Sequence, residues 1–510
     1  MPSALHELVA RQAALNPTAE ALRCGDVSSD YASLWRRIRQ TARWLQSLGA
    51  NPGDRLALWL PKSTDGLALT FAASAAGLVF VPINPVLKPA QVGHILRDAG
   101  ARFLATQATW LTGLKAEIEQ SPELQQLITV DQPVAGASML PGGELATDDI
   151  DGLRDTALRG GDDLAALFYT SGSTGQPKGV MISHANLLDG ARIVADYLGN
   201  GPEDRLLAVL PLSFDYGFSQ ITTAFHAGAS VVLLDHVLPR QIPAAVAQHR
   251  ITGLAGVPSL WNRLAPLDWP DAARKSLRYL TNSGGQLPRT TLDRLRRRFP
   301  NAELFLMYGL TEAFRSTYLP PALLEAYPDA MGLPIPGVEI HVVDEDGHEC
   351  AAGEVGELVH VGPLVAKGYW RAPEASAAVF RRWHDGRPAV WSGDRVERDH
   401  RGLLYFRGRR DAMIKTSGYR VSPDEIEAVA RQCEGVQEAV ALGLPDPMLG
   451  QQIAVAYQGD VAPEVLSGHL RAHLPTYMQP ARLMPLADLP LTPNGKPDRT
   501  RLRARLELDT

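Results

Sequence analysis

Residues 166–185 read ALFYTSGSTGQPKGVMISHA, an apolar strand followed by a polar loop and then, after Lys178, by a second strand. Glycines let a backbone approach an anion closely, and hydroxyl and amide groups can donate hydrogen bonds to it. The sequence lacks the Gly-Lys-Ser/Thr ending and the following helix of a Walker loop, which argues against a kinase or GTPase. A phosphate-binding turn and an ordinary glycine-rich turn are the two interpretations, and Lys178 favours the first. The loop residues are Thr170, Ser171, Gly172, Ser173, Thr174 and Gly175.

Helical patterns alternate with short β-branched runs on both sides of this loop, as in DRLALWLP at 54–61 and DRLLAVLP at 204–211. Such alternation predicts an α/β fold with largely parallel sheets, here in two subdomains. From about residue 338 the segments become β-rich, and a compact tail after residue 410 reads as a small α+β domain. The expected domains are therefore residues 1–410 and a smaller, mobile domain at 411–510.

The bulk composition is that of an ordinary soluble globular protein: 510 residues, 45% hydrophobic, 21% charged, with a formal net charge of −6. No long basic run is present, so we expect no nucleic-acid partner and no binding to an anionic membrane. Residues 66–81 are apolar but end at a proline, short of a membrane span, and indicate a buried helix before a strand. The three cysteines show no CxxC spacing, and the N-terminus lacks a signal-peptide pattern, so a cytoplasmic location is expected.

Further motifs follow in a fixed order: NSGGQLP at 282–288, MYGLTEA at 307–313, SGDRVERD at 392–399, GRRDAMIKTSGYRVSPDEIE at 408–427 and PNGKPDR at 493–499. Together with the loop at 170–175 they resemble the adenylate-forming superfamily of acyl-CoA and aryl-CoA synthetases, amino-acid adenylation domains and firefly-type luciferases. The resemblance implies a ligase that activates a carboxylic acid with ATP, releases pyrophosphate and transfers the acyl group to a thiol.

The resemblance also implies roles for individual residues. Thr170, Ser171, Thr174 and Lys178 would bind the β and γ phosphates, Thr311 the α-phosphate, and Glu312 Mg²⁺. Lys496 would bridge the acyl carboxylate and the α-phosphate, where negative charge gathers in the transition state. The rest of the implied nucleotide site is Gly284, Gly285, Gln286, Tyr308, Gly309, Asp394 and Arg409.

The second half-reaction requires access for a thiol, whereas the first requires exclusion of water. The resemblance places a hinge at Asp411 and the segment beside the thiol arm at Gly418, so that a domain rotation would serve both steps. The acceptor would be coenzyme A or the phosphopantetheine of a carrier protein. Because no DSL-type serine motif follows Lys496, a carrier would be a separate protein.

The sequence does not decide which carboxylic acid is the substrate. Ser213-Phe214-Asp215 is similar to the SFD of amino-acid adenylation domains, whose Asp receives the substrate ammonium group. This similarity implies an alternative to a fatty or aryl acyl-CoA ligase, namely an amino-acid ligase that loads a carrier protein. Asp215 could equally cap the following helix. Arg315 could meet a second carboxylate or a surface acid. A luciferase-type oxygenase is a third function class. The acid-pocket candidates by register are Asp215, Tyr216, Ser219, Ser283 and Phe314.

Overall fold

The computed structural model describes residues 2–142, 160–170, 177–235, 238–409, 413–490 and 498–508. The first α/β sheet has seven strands and carries the predicted phosphate loop at one edge. All neighbours in it are parallel except the last pair, Leu164–Thr170 and Lys178–Ser183, which form the antiparallel hairpin on either side of the loop. The order is Ser138–Met139, Gln126–Thr129, Phe103–Thr106, Arg55–Trp59, Val79–Ile83, Leu164–Thr170 and Lys178–Ser183.

A second, nine-stranded sheet is parallel through its centre and antiparallel at both edges. Its order is Leu333–Pro334, Thr317–Leu319, Glu303–Tyr308, Tyr279–Asn282, Gly253–Gly256, Arg205–Ala208, Ser230–Leu233, Glu20–Cys24 and Val27–Asp30. The predicted α/β class with two sheets is confirmed.

Two smaller sheets complete the molecule, as the β-rich segments predict. One is antiparallel and contains Glu339–Val343, Val355–Val361, Phe380–Arg382, Pro388–Arg398 and Leu404–Arg409. The other belongs to the C-terminal segment and contains Ile414–Thr416, Tyr419–Val421, Val436–Asp446, Gly450–Gly459 and Arg482–Pro485.

Helices pack on the sheets through their apolar faces. One core contains buried side chains of both α/β sheets, such as Phe80 and Val231, a second contains further residues of the nine-stranded sheet, and a third lies in the C-terminal segment. The apolar stretch at 66–81 forms the buried helix Thr64–Ala75 and the strand Val79–Ile83, as expected. No helix in the described part of the chain is long and apolar enough to cross a membrane. The α-helices are Glu7–Leu15, Tyr31–Ser47, Thr64–Ala75, Pro89–Ala99, Ala108–Glu119, His184–Leu198, Asp215–Ala227, Gln241–His249, Pro258–Leu264, Asp271–Ser276, Arg289–Arg298, Pro373–Val379, Pro423–Arg431, Pro463–His473 and Arg499–Leu508.

Candidate active site

A cavity of about 700 Å³ lies where several parallel strands of the two α/β sheets end. Ligands of α/β proteins commonly bind beyond the carboxyl ends of such strands, because loops from several strands converge there. Thr170 at the end of its strand, Asp215, Gly309 and Asp394 all line this cavity. Residues far apart in the sequence therefore meet at one site.

One side of the cavity holds a buried polar cluster around Asp394. The hydroxyl of Tyr308 and the guanidinium of Arg409 both donate hydrogen bonds to the Asp394 carboxylate, and Asp394 is only 2% exposed. Burial, followed by the nearby Asp394 charge, raises the pKa of Tyr308 well above its usual value, so this phenol stays protonated. Tyr308 itself lies behind the cavity lining, whereas Asp394 and Arg409 line it. The cluster presents a carboxylate and a guanidinium in fixed positions.

A second polar cluster involves Lys178, Glu312 and Tyr369. The Tyr369 hydroxyl donates to Oε1 of Glu312 at 2.7 Å, and Nζ of Lys178 lies 5.6 Å from the centre of the Tyr369 ring. Burial, and then the charge of Glu312, raises the pKa of Tyr369. Ser171, Gly172, Ser173, Thr174 and Gly175 lie outside the described residues.

Tyr369 was missed by the sequence analysis. Its only signal is the aromatic pair Tyr369-Trp370 after a glycine. An antiparallel bridge between Tyr369 and Val180 places Tyr369 beside the strand Lys178–Ser183, which follows the phosphate loop, and no local pattern indicates this pairing.

The remaining side of the cavity contains Asp215. The Thr311 hydroxyl donates to Oδ1 of Asp215 at 3.1 Å. Burial raises the pKa of Asp215, and the charge of Arg315 partly opposes this effect. The helix Asp215–Ala227 has Phe214 at its N-cap and no side-chain cap bond, so the interpretation of Asp215 as a helix cap is wrong.

Some predicted residues lie outside the cavity lining. Gln286 is exposed, and its Nε2 donates to Asp329 at 3.2 Å. Ser219 is buried and donates to the carbonyl of Tyr216 at 2.8 Å. Gly284, Tyr216 and Ser283 do line the cavity, whereas Gly285, Gln286, Ser219 and Phe314 do not.

Phe314 was predicted to line the acid pocket, but its backbone conformation directs the side chain elsewhere. Its φ of 55° lies in the left-handed region, which non-glycine residues rarely adopt. The ring occupies the space left by the missing side chain of Gly190, where a Cβ would come within 2.5 Å of a ring carbon. Phe314 is therefore part of the wall behind the cavity.

The C-terminal segment reaches into the cavity at Gly418. This residue has φ +83°, and an added Cβ would lie 2.8 Å from Val257. A Cβ on Gly284 would in turn lie 3.6 Å from the Gly418 carbonyl oxygen. Gly418 thus lies beside Gly284 of the predicted nucleotide site, while Asp411 and Lys496 lie outside the described residues.

A family model described as AMP-binding enzyme matches residues 9–370, and one described as AMP-binding enzyme C-terminal domain matches residues 425–496. The chain belongs to this family. An L-proline--[L-prolyl-carrier protein] ligase of Streptomyces coelicolor is 34% identical, covering 94% of this chain and 93% of its own length. Feruloyl-CoA synthase of Amycolatopsis sp is 32% identical, covering 95% and 96%. The amide bond synthetase McbA of Marinactinospora thermotolerans has the same fold, with a TM-score of 0.85, 25% identity and coverage of 98% and 99%.

The family assignment confirms the activity that the motifs predict. The chain is an ATP-dependent acid–thiol ligase: it activates a carboxylic acid as an adenylate, releases pyrophosphate, and transfers the acyl group to coenzyme A or to a carrier protein.

Proposed function

We propose that both half-reactions take place in the 700 Å³ cavity. An oxygen of the acid attacks the α-phosphorus of ATP, the bond to the bridging oxygen breaks, and pyrophosphate leaves. The convergence of Thr170, Glu312 and Asp394 on one cavity is the observation that carries this proposal. Asp394 and Arg409 would hold the ribose hydroxyls, and the loop with Lys178 would hold the β and γ phosphates.

Glu312 is the residue that would hold Mg²⁺. It is buried, it lines the cavity, and within the described residues its carboxylate forms no ion pair. Carboxylate oxygens are the ligands that Mg²⁺ prefers, and an unpaired buried carboxylate is costly without a cation. The donor set therefore fits the ion, which would neutralise phosphate charge. Thr311 would contact the α-phosphate, and Lys496 would bridge it to the acyl carboxylate.

The thiol step would use the C-terminal segment. The sulfur of the acceptor thiol attacks the acyl carbon of the adenylate, the bond from that carbon to the phosphate oxygen breaks, and AMP leaves. Gly418 lies in the cavity wall with no side chain to obstruct a pantetheine arm. A rotation at Asp411, between domains 1–410 and 411–510, would exchange this segment for the one carrying Lys496. The two family matches, which fall on either side of residue 411, support this division.

An amino acid loaded onto a separate carrier protein is the second candidate. Asp215 favours it, because a buried carboxylate in a cavity is suited to an ammonium group. The relative from Streptomyces coelicolor is named as an L-prolyl-carrier protein ligase, which supports the same candidate. The cytoplasmic location stays a prediction.

The test is ATP–pyrophosphate exchange with a panel of fatty, aryl and amino acids. We expect exchange with at least one class, and a roughly 100-fold higher KM for ATP in Asp394→Asn, because the ribose loses a charged hydrogen-bond partner. Asp346→Asn, an exposed carboxylate in a turn, is the matched control and should behave as wild type. An Asp394→Asn enzyme with unchanged KM for ATP would contradict the proposed ribose site.

Asp215→Asn separates the two substrate candidates. It should abolish exchange with amino acids if an ammonium group binds Asp215. Undiminished exchange with amino acids in this variant would contradict that candidate.

A further inference from the structure

Arg315 is the most unusual charged residue of the cavity wall. Only 1% of it is exposed, and it is the second largest of the fully buried side chains. A guanidinium is charged at any physiological pH, so its burial is costly unless its N–H groups are paired.

One edge of the guanidinium is held by protein contacts. Nη1 donates to the Ser283 hydroxyl at 3.0 Å, and the carbon of the group lies 4.8 Å from the centre of the Tyr216 ring. Tyr216 is fixed in turn by a 2.7 Å hydrogen bond between its hydroxyl and that of Thr281. The guanidinium therefore has a defined position before any substrate binds.

The other edge of the guanidinium is not hydrogen-bonded within the described part of the chain. Nε and Nη2 are both buried, and neither forms a hydrogen bond with the residues that the structure describes. The Tyr197 hydroxyl lies close to the Arg315 guanidinium, but it donates its hydrogen bond to the sulfur of Met307, at 2.9 Å. Nε and Nη2 point in the same direction from the guanidinium, as the two teeth of the fork that binds both oxygens of a carboxylate. Buried donors that lack partners in a folded protein require an explanation, and a ligand is one.

We infer that Arg315 binds a second carboxylate of the acid substrate through Nε and Nη2, which makes dicarboxylic acids the substrate class. This inference rests on the proposed function of the cavity. Arg315, Ser283 and Tyr216 line the cavity together. One carboxylate of the substrate would react at Thr311, and the other would lie against Arg315.

Asp215 is the acidic group whose charge acts on Arg315 and on a carboxylate bound there. It forms no ion pair with Arg315 within the described residues, and its Oδ1 already accepts a hydrogen bond from Thr311. Burial favours its protonated form, which reduces repulsion of a dianionic substrate.

The test compares matched pairs of acids that differ by one carboxylate: succinate with butyrate, glutarate with pentanoate, and L-aspartate with L-alanine. In ATP–pyrophosphate exchange we expect at least one dicarboxylate to exceed its partner about 100-fold in kcat/KM, because a site that donates hydrogen bonds to a group discriminates strongly against its absence. Arg315→Gln should remove this preference by lowering kcat/KM with the dicarboxylate far more than with the monocarboxylate, and Arg315→Lys should restore only part of it. Arg294→Gln, an exposed arginine on the helix Arg289–Arg298, is the matched control.

Three results would overturn the inference: no dicarboxylate preferred in any pair, equal losses for both members of a pair in Arg315→Gln, or a raised KM for ATP alone, which would assign Arg315 to the nucleotide. Calorimetric titration of the wild type and of Arg315→Gln with succinate, glutarate and L-aspartate decides the question without turnover. Binding of one of them that is lost in the variant supports the inference, and absence of binding in the wild type contradicts it. If no acid drives exchange at all, the proposed function fails, and the titration still decides the role of Arg315.

Discussion

The nucleotide end and the acid end of the cavity differ in how their polar groups are paired. At the nucleotide end, Asp394 already accepts hydrogen bonds from Tyr308 and Arg409. At the acid end, one whole edge of Arg315 is buried without a partner in the described part of the chain. We propose that the first end is prepared for the nucleotide, whereas the second depends on the acid substrate to complete its hydrogen bonds.

Lys496→Ala should have the largest effect on the rate of ATP–pyrophosphate exchange. It tests whether the nucleotide end contributes equally to the activation of every acid. We expect the rate of ATP–pyrophosphate exchange to fall about 1000-fold with each substrate. The reason is that the variant lacks the positive charge that would stabilise the negative charge developing on the phosphoryl oxygens. Transfer from a chemically prepared acyl-adenylate to the thiol should fall far less. Equal losses in both steps would contradict a role confined to adenylation.

Glu312→Gln should have the next largest effect. We expect the Mg²⁺ concentration for half-maximal exchange to rise on the order of 100-fold, since a neutral amide binds the hard cation weakly. Tyr369→Phe removes only the hydrogen bond to Glu312 and should raise this Mg²⁺ concentration a few fold. If the Mg²⁺ dependence of Glu312→Gln matched that of the wild type, the metal would bind elsewhere.

Gly418→Ala separates the thiol step from both ends of the cavity. The left-handed backbone and the close approach to Val257 make a Cβ unfavourable, so thioester formation should fall about 30-fold while exchange is retained. Gly468→Ala is the matched control, because that glycine lies in the helix Pro463–His473 with open space around it. Loss of exchange in Gly418→Ala would place Gly418 in the adenylation step instead.

Glu425→Gln should have the smallest effect and should leave both ends unchanged. Burial raises the pKa of Glu425 to about 7, and the carboxyl accepts a 2.7 Å hydrogen bond from Gln91. A raised pKa means that the folded state favours the protonated form, so this group's contribution to stability is full in acid and declines between about pH 4.5 and 7. From pH 5 to pH 8 the wild type should lose about 2 to 3 kcal/mol of unfolding free energy relative to Glu425→Gln, measured by denaturant titration. A pH-independent difference would contradict this.

The fold, and the meeting of Thr170, Glu312 and Asp394 at one cavity, could be predicted because their signals are local. Hydrophobic alternation indicates parallel strands, and the motifs around Asp394 and Glu312 have distinctive residues in close succession. The acid end could be predicted only in part, because its geometry depends on backbone and long-range packing: Phe314 turns into the space at Gly190, and Ser219 bonds a carbonyl of its own helix. Tyr369 and the pairing of Arg315 with Ser283 come from segments that meet only in three dimensions.

A crystal structure of the protein with AMP bound tests the central claim most directly, namely that these distant motifs form one nucleotide site. We expect the ribose hydroxyls within about 3.2 Å of the Asp394 carboxylate, with the phosphate directed toward Thr311 and Lys178. AMP bound outside this cavity, or with its ribose away from Asp394, would contradict it.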